Sequence, residues 1–444
     1  MFPSRTCWLA VVVLPLIPFI ALGQTVRSDP VPPNFLLDIS REFLGAAIAQ
    51  SIDRTDPVHD LILKTRITGT GRTIAKVAVE LIPNDEAAVV DIVTTGTTYA
   101  QTVGMNGPVQ LYNDSVFPFQ IQQRVYLRPE GVLADGARSQ AEAGDSTLTG
   151  LTTNFHCLLD RLVKKIACNQ YRKGKDKAQN IALLHAELQL NENAEAEAGP
   201  RLRDADEALK KNLADLRADG INFAMLRFTS AKDMVFVRAA SATRGSEAYG
   251  TPPPLAERSY LALRVHETMI NETAQAKLGG KTFTGEQMAR EARKLGSPDV
   301  PMKQDDKDFS ITFTKLKPVE VTFADQGWRA VVRLQEFSSG DDEYAGMDMM
   351  VKYKFQVAGD KIKAVRQGVI EAFPPGFKPG QKLSARQQAM RTVLQKRFGK
   401  FFKEEMPLQN IELSKELKKA GPLVATWAEA GRGWLLMTWR KGGD

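Results

Sequence analysis

Two long stretches of the sequence alternate apolar and polar residues with a period of two. The first runs from Leu61 to Arg128 and includes Lys76–Leu81 and Val89–Val93, separated by glycines and by Asn-Asp or Asn-Gly pairs. The second runs from Phe309 to Phe373. Alternation of this kind places apolar side chains on one face of a strand, and Asn-Gly pairs form tight hairpin turns. Each stretch therefore predicts an antiparallel meander, of about five strands in the first case.

An amphipathic helix is expected before each meander. In the first half, Ser40 is a suitable N-cap, and apolar residues recur behind it at helical spacing, namely Phe43, Leu44, Ala47, Ile48 and Ile52. Before the second meander, apolar residues recur at the same spacing at Met269, Ile270, Ala274 and Leu278. Gly279 and Gly280 then end the helical pattern.

A second helical stretch is expected after each meander. In the first half the apolar pattern predicts a long helix from Asn154 to about Leu190 and a returning helix with Leu202, Leu209 and Leu216, which together form a helical hairpin over residues 154–220. In the second half the helix is expected between Ser384 and Met406. Its start is marked by the capping pair Ser384 and Gln387, and Pro407 stops it.

Both halves close with a glycine followed by two apolar runs that predict a hairpin. In the first half Gly220 precedes the turn at Ser230–Asp233, and in the second Gly421 precedes the turn at Gly431–Gly433. The fold class predicted is α+β, a tandem duplication of a unit made of a helix, an antiparallel β-meander and a helix, with the helical hairpin inserted in the first repeat. The repeats cover residues 33–243 and 255–441, and a Pro-rich linker of residues 244–254 joins them.

The first 23 residues have the pattern of a signal peptide. Arg5 precedes an apolar run from Cys7 to Leu22, and Ala21 and Gly23 are small residues at the cleavage positions. A membrane anchor is the alternative, but the run is short and contains two prolines. No comparable apolar run follows, so the sequence predicts an exported, periplasmic or secreted protein without a transmembrane segment after processing.

Two cysteines follow the predicted signal peptide, Cys157 and Cys168. On a continuous helix they lie about 16 Å apart, whereas a disulfide needs Cα atoms within about 7 Å. Both are therefore expected to be free, largely buried thiols.

No catalytic or metal-binding motif is apparent. The Gly-x-Ser-x-Gly elbow is absent, and the chain has four histidines. After His266 and Glu267, a zinc protease would place a second histidine where Ile270 stands, so these residues and Asn271 are interpreted as capping the helix or bonding a neighbouring strand. We expect no enzymatic activity, no metal and no cofactor.

The distribution of charge argues against a nucleic-acid partner. The chain has 59 basic and 52 acidic residues, which is typical of a mixed, solvated surface. A local exception is the basic segment that carries Lys164, Lys165, Arg172, Lys173, Lys175 and Lys177. This segment has two interpretations, as contact with an anionic phosphate surface or as the charged outer face of the hairpin.

At Leu37–Ile48 an apolar-x-Ile-Ser motif leads directly into a helix, and the order of helix, meander, helix and hairpin occurs twice. Together these features resemble the tubular lipid-binding superfamily typified by bactericidal permeability-increasing protein. The resemblance implies a bent antiparallel sheet wrapped around a helix, with a groove that takes acyl chains. The segment from Arg264 to Asn271 also resembles that of uncharacterised secreted proteins from planctomycete-type bacteria, which implies no activity.

The first functional hypothesis is an exported binding protein for a lipid or other apolar ligand. The residues expected to line the ligand are Met347, Met349, Val351, Tyr353, Phe355, Met390, Leu394, Phe398, Phe401, Leu44 and Ile48. Methionine-rich surfaces repack around ligands of different shape, but the same stripes would also form an ordinary core. The alternatives are a structural or adaptor protein that binds an envelope protein partner, and a hydrolase whose catalytic residues are distant in sequence.

Overall fold

A computed structural model of the chain describes residues 31–155, 158–243, 245, 247–255, 259–294, 309–340, 342–358, 361–378, 380–408, 410–411 and 417–442. The predicted signal peptide, residues 1–23, and Cys157 lie outside the described residues. Cys168 is a free thiol and is only partly buried. Among the helices in the described part of the chain, none has both the length and the apolar composition to cross a membrane.

Within the described residues of the first half there are ten strands and two helices. In chain order they are β1 (Phe35–Ser40), α1 (Arg41–Ile48), β2 (Gln50–Ile62), β3 (Thr65–Ile82), β4 (Ala88–Asn106), β5 (Val109–Arg128), β6 (Gly131–Ala134), β7 (Arg138–Ala141), β8 (Ser146–Thr153), α2 (Leu158–Ala218), β9 (Phe223–Ser230) and β10 (Met234–Ser241).

The second half begins with β11 (Leu261–His266), α3 (Glu267–Leu278), β12 (Thr282–Thr284) and α4 (Gly285–Lys294). A run of strands then follows as β13 (Phe309–Phe313), β14 (Val319–Ala324), β15 (Gly327–Ser339), β16 (Asp342–Ala345), β17 (Asp348–Ala358), β18 (Lys361–Arg366) and β19 (Glu371–Phe373). The chain ends with α5 (Ala385–Phe398), β20 (Glu405–Pro407), β21 (Asn410–Ile411), a 3₁₀ turn (Leu417–Ala420), β22 (Leu423–Gly431) and β23 (Trp434–Lys441).

The strands form three antiparallel sheets. The central sheet has seven strands in the order β21-β22-β23-β11-β1-β10-β9, so it takes strands from both halves of the sequence. A seven-stranded sheet of β2 to β8 extends from one side, and a nine-stranded sheet of β12 to β20 from the other. The α+β class with mostly antiparallel sheets is therefore confirmed.

The middle of the central sheet is held by a buried ion-pair cluster. Asp38 on β1 is fully buried, and its carboxylate pairs with Arg238 of β10 on one side, at 2.5 Å, and with Arg264 of β11 on the other. A buried carboxylate is stable only when it is paired and hydrogen-bonded. Asp38 therefore links the last strand of the first half to the first strand of the second.

The helix caps inferred from the sequence are present. Ser40 caps α1 by accepting a hydrogen bond from the backbone N–H of Phe43, and Ser384 and Gln387 form a capping box at α5. The closing hairpins β9–β10 and β22–β23 also occur where the two glycines predicted them. Two helices end earlier than expected, α1 at Ile48 and α5 at Phe398, and Ile52 lies on β2.

The predicted helical hairpin of residues 154–220 is wrong. The structure has one continuous helix, α2, of 61 residues, which passes through Pro200 without turning back. Its last third buries Ala205, Leu209, Leu213 and Leu216 in the main core, while Leu183 and Leu190 pack on a smaller apolar cluster of the first sheet. The two apolar stripes do not pair with each other, because the long strands β2 to β5 provide an apolar surface along the helix.

The second outer sheet packs against α5. Its hydrophobic cluster contains Met349 and Tyr353 from β17, and Met390 and Leu394 from α5. This sheet differs from the first outer sheet in strand number and order, and no helix as long as α2 accompanies it within the described residues. The structure thus does not confirm the tandem duplication.

Candidate ligand-binding groove

The groove lies between α2 and the sheet of β2 to β5. The side chains of β3, β4 and β5 that line it are every second residue of each strand, so they lie on the same face, which α2 covers. α2 contacts β2 at one edge of this sheet and β6, β7 and β8 at the other, so the sheet bends around the helix. The space between them measures about 500 Å³, within the range of small-molecule sites.

The lining of the groove is mainly apolar at its floor. The sheet contributes apolar side chains from all four long strands, and α1 and α2 add apolar and small ones, namely Ile48, Ile52, Val58, Ala75, Val77, Ile92, Phe117, Phe119, Ile121, Ala186, Leu190, Ala194, Ala198 and Leu202. Small residues on α2 keep the helix backbone from being pushed away from the sheet. Apolar side chains of the sheet and of both helices therefore face the space between α2 and the sheet.

One row of paired residues crosses the floor of the groove. Ile52 on β2 pairs with Ala75 on β3, Ala75 with Gly96 on β4, and Gly96 with Phe119 on β5. The two central members of the row, Ala75 and Gly96, have little or no side chain. The row therefore has larger side chains at its two ends and small ones in the middle.

Polar groups are concentrated where α2 meets the edge strand β2. Arg54 of β2 pairs with Asp56 and with Glu197 of α2, each at 2.9 Å, and His185 of α2 contacts Asp60 of β2 at 2.8 Å. Arg54, Asp56, Glu197 and the nearby Arg201 all line the groove. Exposed ion pairs such as Arg54 with Asp56 and Glu197 contribute little to stability.

The opposite edge of the groove is held by a different kind of contact. Carboxylates of α2 accept hydrogen bonds from backbone N–H groups of the sheet edge: Asp206 from Val132 at 3.0 Å, Glu195 from Ala137 at 3.0 Å, and Glu187 from Ala141 at 2.9 Å. Backbone N–H groups at a sheet edge need partners, and a carboxylate is a strong acceptor. α2 is therefore anchored on the β6–β7 side and weakly closed on the β2 side.

Of the residues predicted to line a ligand, Ile48 lines this groove. Leu44 is buried in the main core. Met347, Met349, Val351, Tyr353, Met390, Leu394 and Phe398 form one closely buried cluster between β17 and α5, with Phe355 packed beside it. Phe401 follows the end of α5, is partly buried and contacts Phe398. The two predicted stripes thus do face each other, and their side chains are at most 5% exposed in the cluster.

Sequence reasoning missed most of the groove. The alternation of Phe117, Phe119 and Ile121 on β5 and the alanines at 186, 194 and 198 were available as signals. These patterns predict a meander and a self-contained hairpin, because sequence periodicity shows that a face is apolar but not which element covers it.

The residues at the start of α3 have the structural role expected of them. His266 is the N-cap of the helix and accepts a hydrogen bond from the backbone N–H of Thr268. Glu267 accepts from the N–H of Phe323, and Asn271 exchanges two hydrogen bonds with the backbone of Val321. Burial lowers the pKa of His266, so it remains neutral at neutral pH.

Comparisons with known proteins give limited information. No protein-family model and no curated protein matches the sequence. Among solved structures, a lipopolysaccharide binding protein is similar at 9% identity with a TM-score of 0.30, covering 92% of this chain and 99% of that one. P47 of Clostridium botulinum E1 is similar at 8% identity with a TM-score of 0.25, covering 93% and 100%. At these values the likeness is distant, and the case for a function rests on the groove itself.

Proposed function

We propose that this protein binds a lipid or other apolar ligand in the groove between α2 and the first sheet, and that it does so without catalysis. The observation that carries the proposal is the groove of about 500 Å³ with an apolar floor. A cavity of this size lined by apolar side chains, with a few polar groups at one side, is typical of a ligand site.

The polar side of the groove favours an amphipathic ligand. An acyl chain would lie on Ile52, Phe119 and Leu190, where it is removed from water. A polar head would lie near Arg54 and Arg201, at the weakly closed contact between α2 and β2. This contact is also the proposed route of entry, because the other edge of the helix is anchored to backbone amides.

We propose that the protein acts outside the cytoplasm, as an exported periplasmic or secreted carrier. The signal-peptide pattern of residues 1–23 supports this. We also keep the duplication of residues 33–243 and 255–441 as a proposal. Its support is the central sheet, in which the adjacent strands β1 and β11 each lead directly into a helix and each neighbour a closing hairpin.

The direct test is to extract the purified full-length mature protein with organic solvent and to analyse the extract by mass spectrometry. A lipid at a stoichiometric ratio to protein, together with saturable uptake of a fluorescent fatty acid, is the expected result. A protein that carries no lipid and takes up no probe would contradict the proposal and favour an adaptor that binds an envelope protein.

A further inference from the structure

The helix α2 and the edge strand β2 contact each other at two points that lie well apart along both elements. His185 of α2 contacts Asp60 of β2 at 2.8 Å, and Glu197 of α2 contacts Arg54 of β2 at 2.9 Å. The two contacts are about 18 Å apart along the helix and about 20 Å apart along the strand, so α2 and β2 run side by side between them. We call the part of the groove between these two contacts the window.

The side of the window that α2 forms carries uncharged hydrogen-bonding groups. Gln189 and Asn193 lie between His185 and Glu197 at intervals of four residues, so they are on the same side of the helix as the two contacts with β2, and both line the groove. Their side-chain amides are exposed and form no hydrogen bond with any group that the structure describes. Each amide therefore keeps its donors and its acceptor for a bound molecule.

The floor of the groove adds hydroxyl groups at the Arg54 end of the window. Thr73 of β3 and Thr98 of β4 are paired across the sheet, and their hydroxyls are hydrogen-bonded to each other at 2.9 Å. In the same row of the sheet, Arg54 pairs with Thr73, and Phe117 pairs with Thr98. A molecule in the window therefore meets amides, hydroxyls and one aromatic ring.

Beyond the window, toward α1, the groove is more apolar. Three polar side chains from the sheet line this part, namely Gln50, Thr94 and Gln123, and the other lining residues of the sheet are apolar, with Ile52, Phe119 and Ile121 the largest among them. An amphipathic ligand therefore removes most apolar surface from water when its apolar part lies toward α1 and its polar head lies in the window.

The charged groups that frame the window are negative on balance. Arg54 faces two carboxylates, Asp56 and Glu197, each at 2.9 Å, and His185 contacts a third carboxylate, that of Asp60. Three carboxylates outnumber the two groups that can be positive, whether or not His185 is protonated. The frame of the window therefore opposes the approach of a second anionic group.

The other cation of the groove lining, Arg201, lies outside the window. It is about two turns of α2 beyond Asn193, a distance of about 12 Å along the helix axis. A phosphate bound at the amides of the window would therefore be close to the carboxylates and away from Arg201.

We propose that the window selects ligands whose head is uncharged and carries several hydroxyl groups, as a glycosyl or glycerol head does. Hydroxyls both donate and accept hydrogen bonds, so they pair with side-chain amides and threonine hydroxyls without adding charge. A phosphate or carboxylate head brings a negative charge to a frame that already has an excess of carboxylates. This inference rests on the proposed function, because it concerns the head of the ligand whose apolar part lies in the groove.

The test is isothermal titration calorimetry of the full-length mature protein with four compounds that share a twelve-carbon chain, each kept below the concentration at which it forms micelles. The compounds are dodecyl maltoside, monododecanoylglycerol, dodecyl phosphate and dodecanoate. Because the chain is the same length in all four, differences in affinity report on the head. At least one of the two uncharged compounds should bind about tenfold more tightly than either anionic compound, and the tighter of the two shows whether the head is glycosyl or glycerol.

The double variant Gln189→Leu with Asn193→Leu removes both amides from the window. It should weaken the binding of the preferred uncharged compound by about tenfold and should not weaken that of the anionic compounds. Asn169→Leu with Gln170→Leu is the matched control, because both side chains are exposed on the same helix and lie outside the groove. The control should bind all four compounds like the parent protein, and circular dichroism and thermal unfolding show whether each variant has folded.

Two outcomes would overturn this inference and leave the groove proposal standing. One is binding of dodecyl phosphate or dodecanoate that is as tight as that of both uncharged compounds, and the other is an equal effect of the window and control variants on the uncharged compounds. Binding of none of the four compounds would overturn the groove proposal and this inference together. The same titrations therefore distinguish the two failures.

Discussion

Gly96 of β4 lies directly opposite Ala75 of β3, and a Cβ atom added to Gly96 would stand 2.5 Å from the Cβ of Ala75. It would also stand 2.6 Å from the carbonyl oxygen of Ile74. Backbone rather than a flexible side chain stands in the way, so any larger residue at 96 requires the two strands to separate. The close approach of the strands therefore depends on the small residues at 75 and 96.

The first prediction concerns this contact. Gly96→Val should lower the free energy of unfolding by about 1–3 kcal/mol, because overpacking forces the backbone to shift. Urea denaturation followed by circular dichroism measures the change. Gly45→Ala in α1 is the control: a Cβ there meets nothing within 4 Å, and alanine is the better helix former, so stability should stay the same or rise. A Gly96→Val variant as stable as the parent would contradict the prediction.

The second prediction tests the groove. Ala194 of α2 lines it, so Ala194→Trp should fill the space and abolish uptake of a fluorescent fatty acid while leaving the unfolding transition nearly unchanged. Ala196→Trp is the matched control, since Ala196 lies two residues away on the same helix and is exposed. If both variants take up the probe like the parent protein, the ligand does not bind in this groove.

The third prediction concerns the cluster between β17 and α5. Met349 is 1% exposed there, so Met349→Trp should cost about 1–3 kcal/mol of stability by overpacking and should leave ligand uptake in the groove unchanged. The opposite result, loss of uptake with no loss of stability, would show that the methionine-rich cluster is the ligand site. Denaturation and ligand uptake, both measured on the same preparation of the variant, show whether the cluster is a filled core or the ligand site.

The fourth prediction is a dependence of stability on pH. Asp91 of β4 is fully buried and accepts hydrogen bonds from Arg124 at 2.7 Å and 2.8 Å and from Gln122. The bond to Arg124 holds the pKa of Asp91 below its ordinary value of 3.8. Because the pKa is lower in the folded state, the stabilisation is present above the ordinary value and is lost as pH falls through the folded-state pKa.

Asp91→Asn should therefore lower the free energy of unfolding at neutral pH by about 1–3 kcal/mol, the cost of leaving a charged partner unpaired. The difference from the parent protein should shrink as pH falls below the ordinary pKa of the carboxyl group. Asp53→Asn is the comparison, because Asp53 pairs with Arg72 on an exposed surface and should matter far less. A difference that stays constant down to low pH would count against this account.

The fifth prediction concerns the proposed entry route. Removing the charges of Glu197 and Asp60 by Glu197→Gln with Asp60→Asn should speed uptake and release of the probe, because these residues hold α2 to β2. Stability should change by less than about 1 kcal/mol, since both pairs are partly exposed. Glu405→Gln, which breaks the exposed pair with Lys363 in the other outer sheet, should leave the kinetics unchanged. Stopped-flow fluorescence measures both, and equal rates in all three proteins would exclude entry at this edge.

Local signals in the sequence were sufficient for several helix starts and for most of the strands. Ser40 marked the start of α1 and Ser384 that of α5, because a hydroxyl side chain that caps a helix acts within three residues of itself. The alternation along Phe309–Phe373 marked the strands of the second sheet, and the glycines at 220 and 421 marked the closing hairpins. Each of these features depends on residues that are close in the chain.

What the sequence by itself determined is therefore the short helices α1, α3 and α5, most of the strands and the antiparallel class. Only the tertiary structure decided what each face covers. The stripe at Leu202–Leu216 packs on the main core instead of on the first half of its own helix, and the alanines near Ala194 face a bent sheet across an open groove. The period of the apolar residues fixes the face of the helix or strand on which each side chain lies. Which other element covers that face depends on how distant strands bend and approach one another.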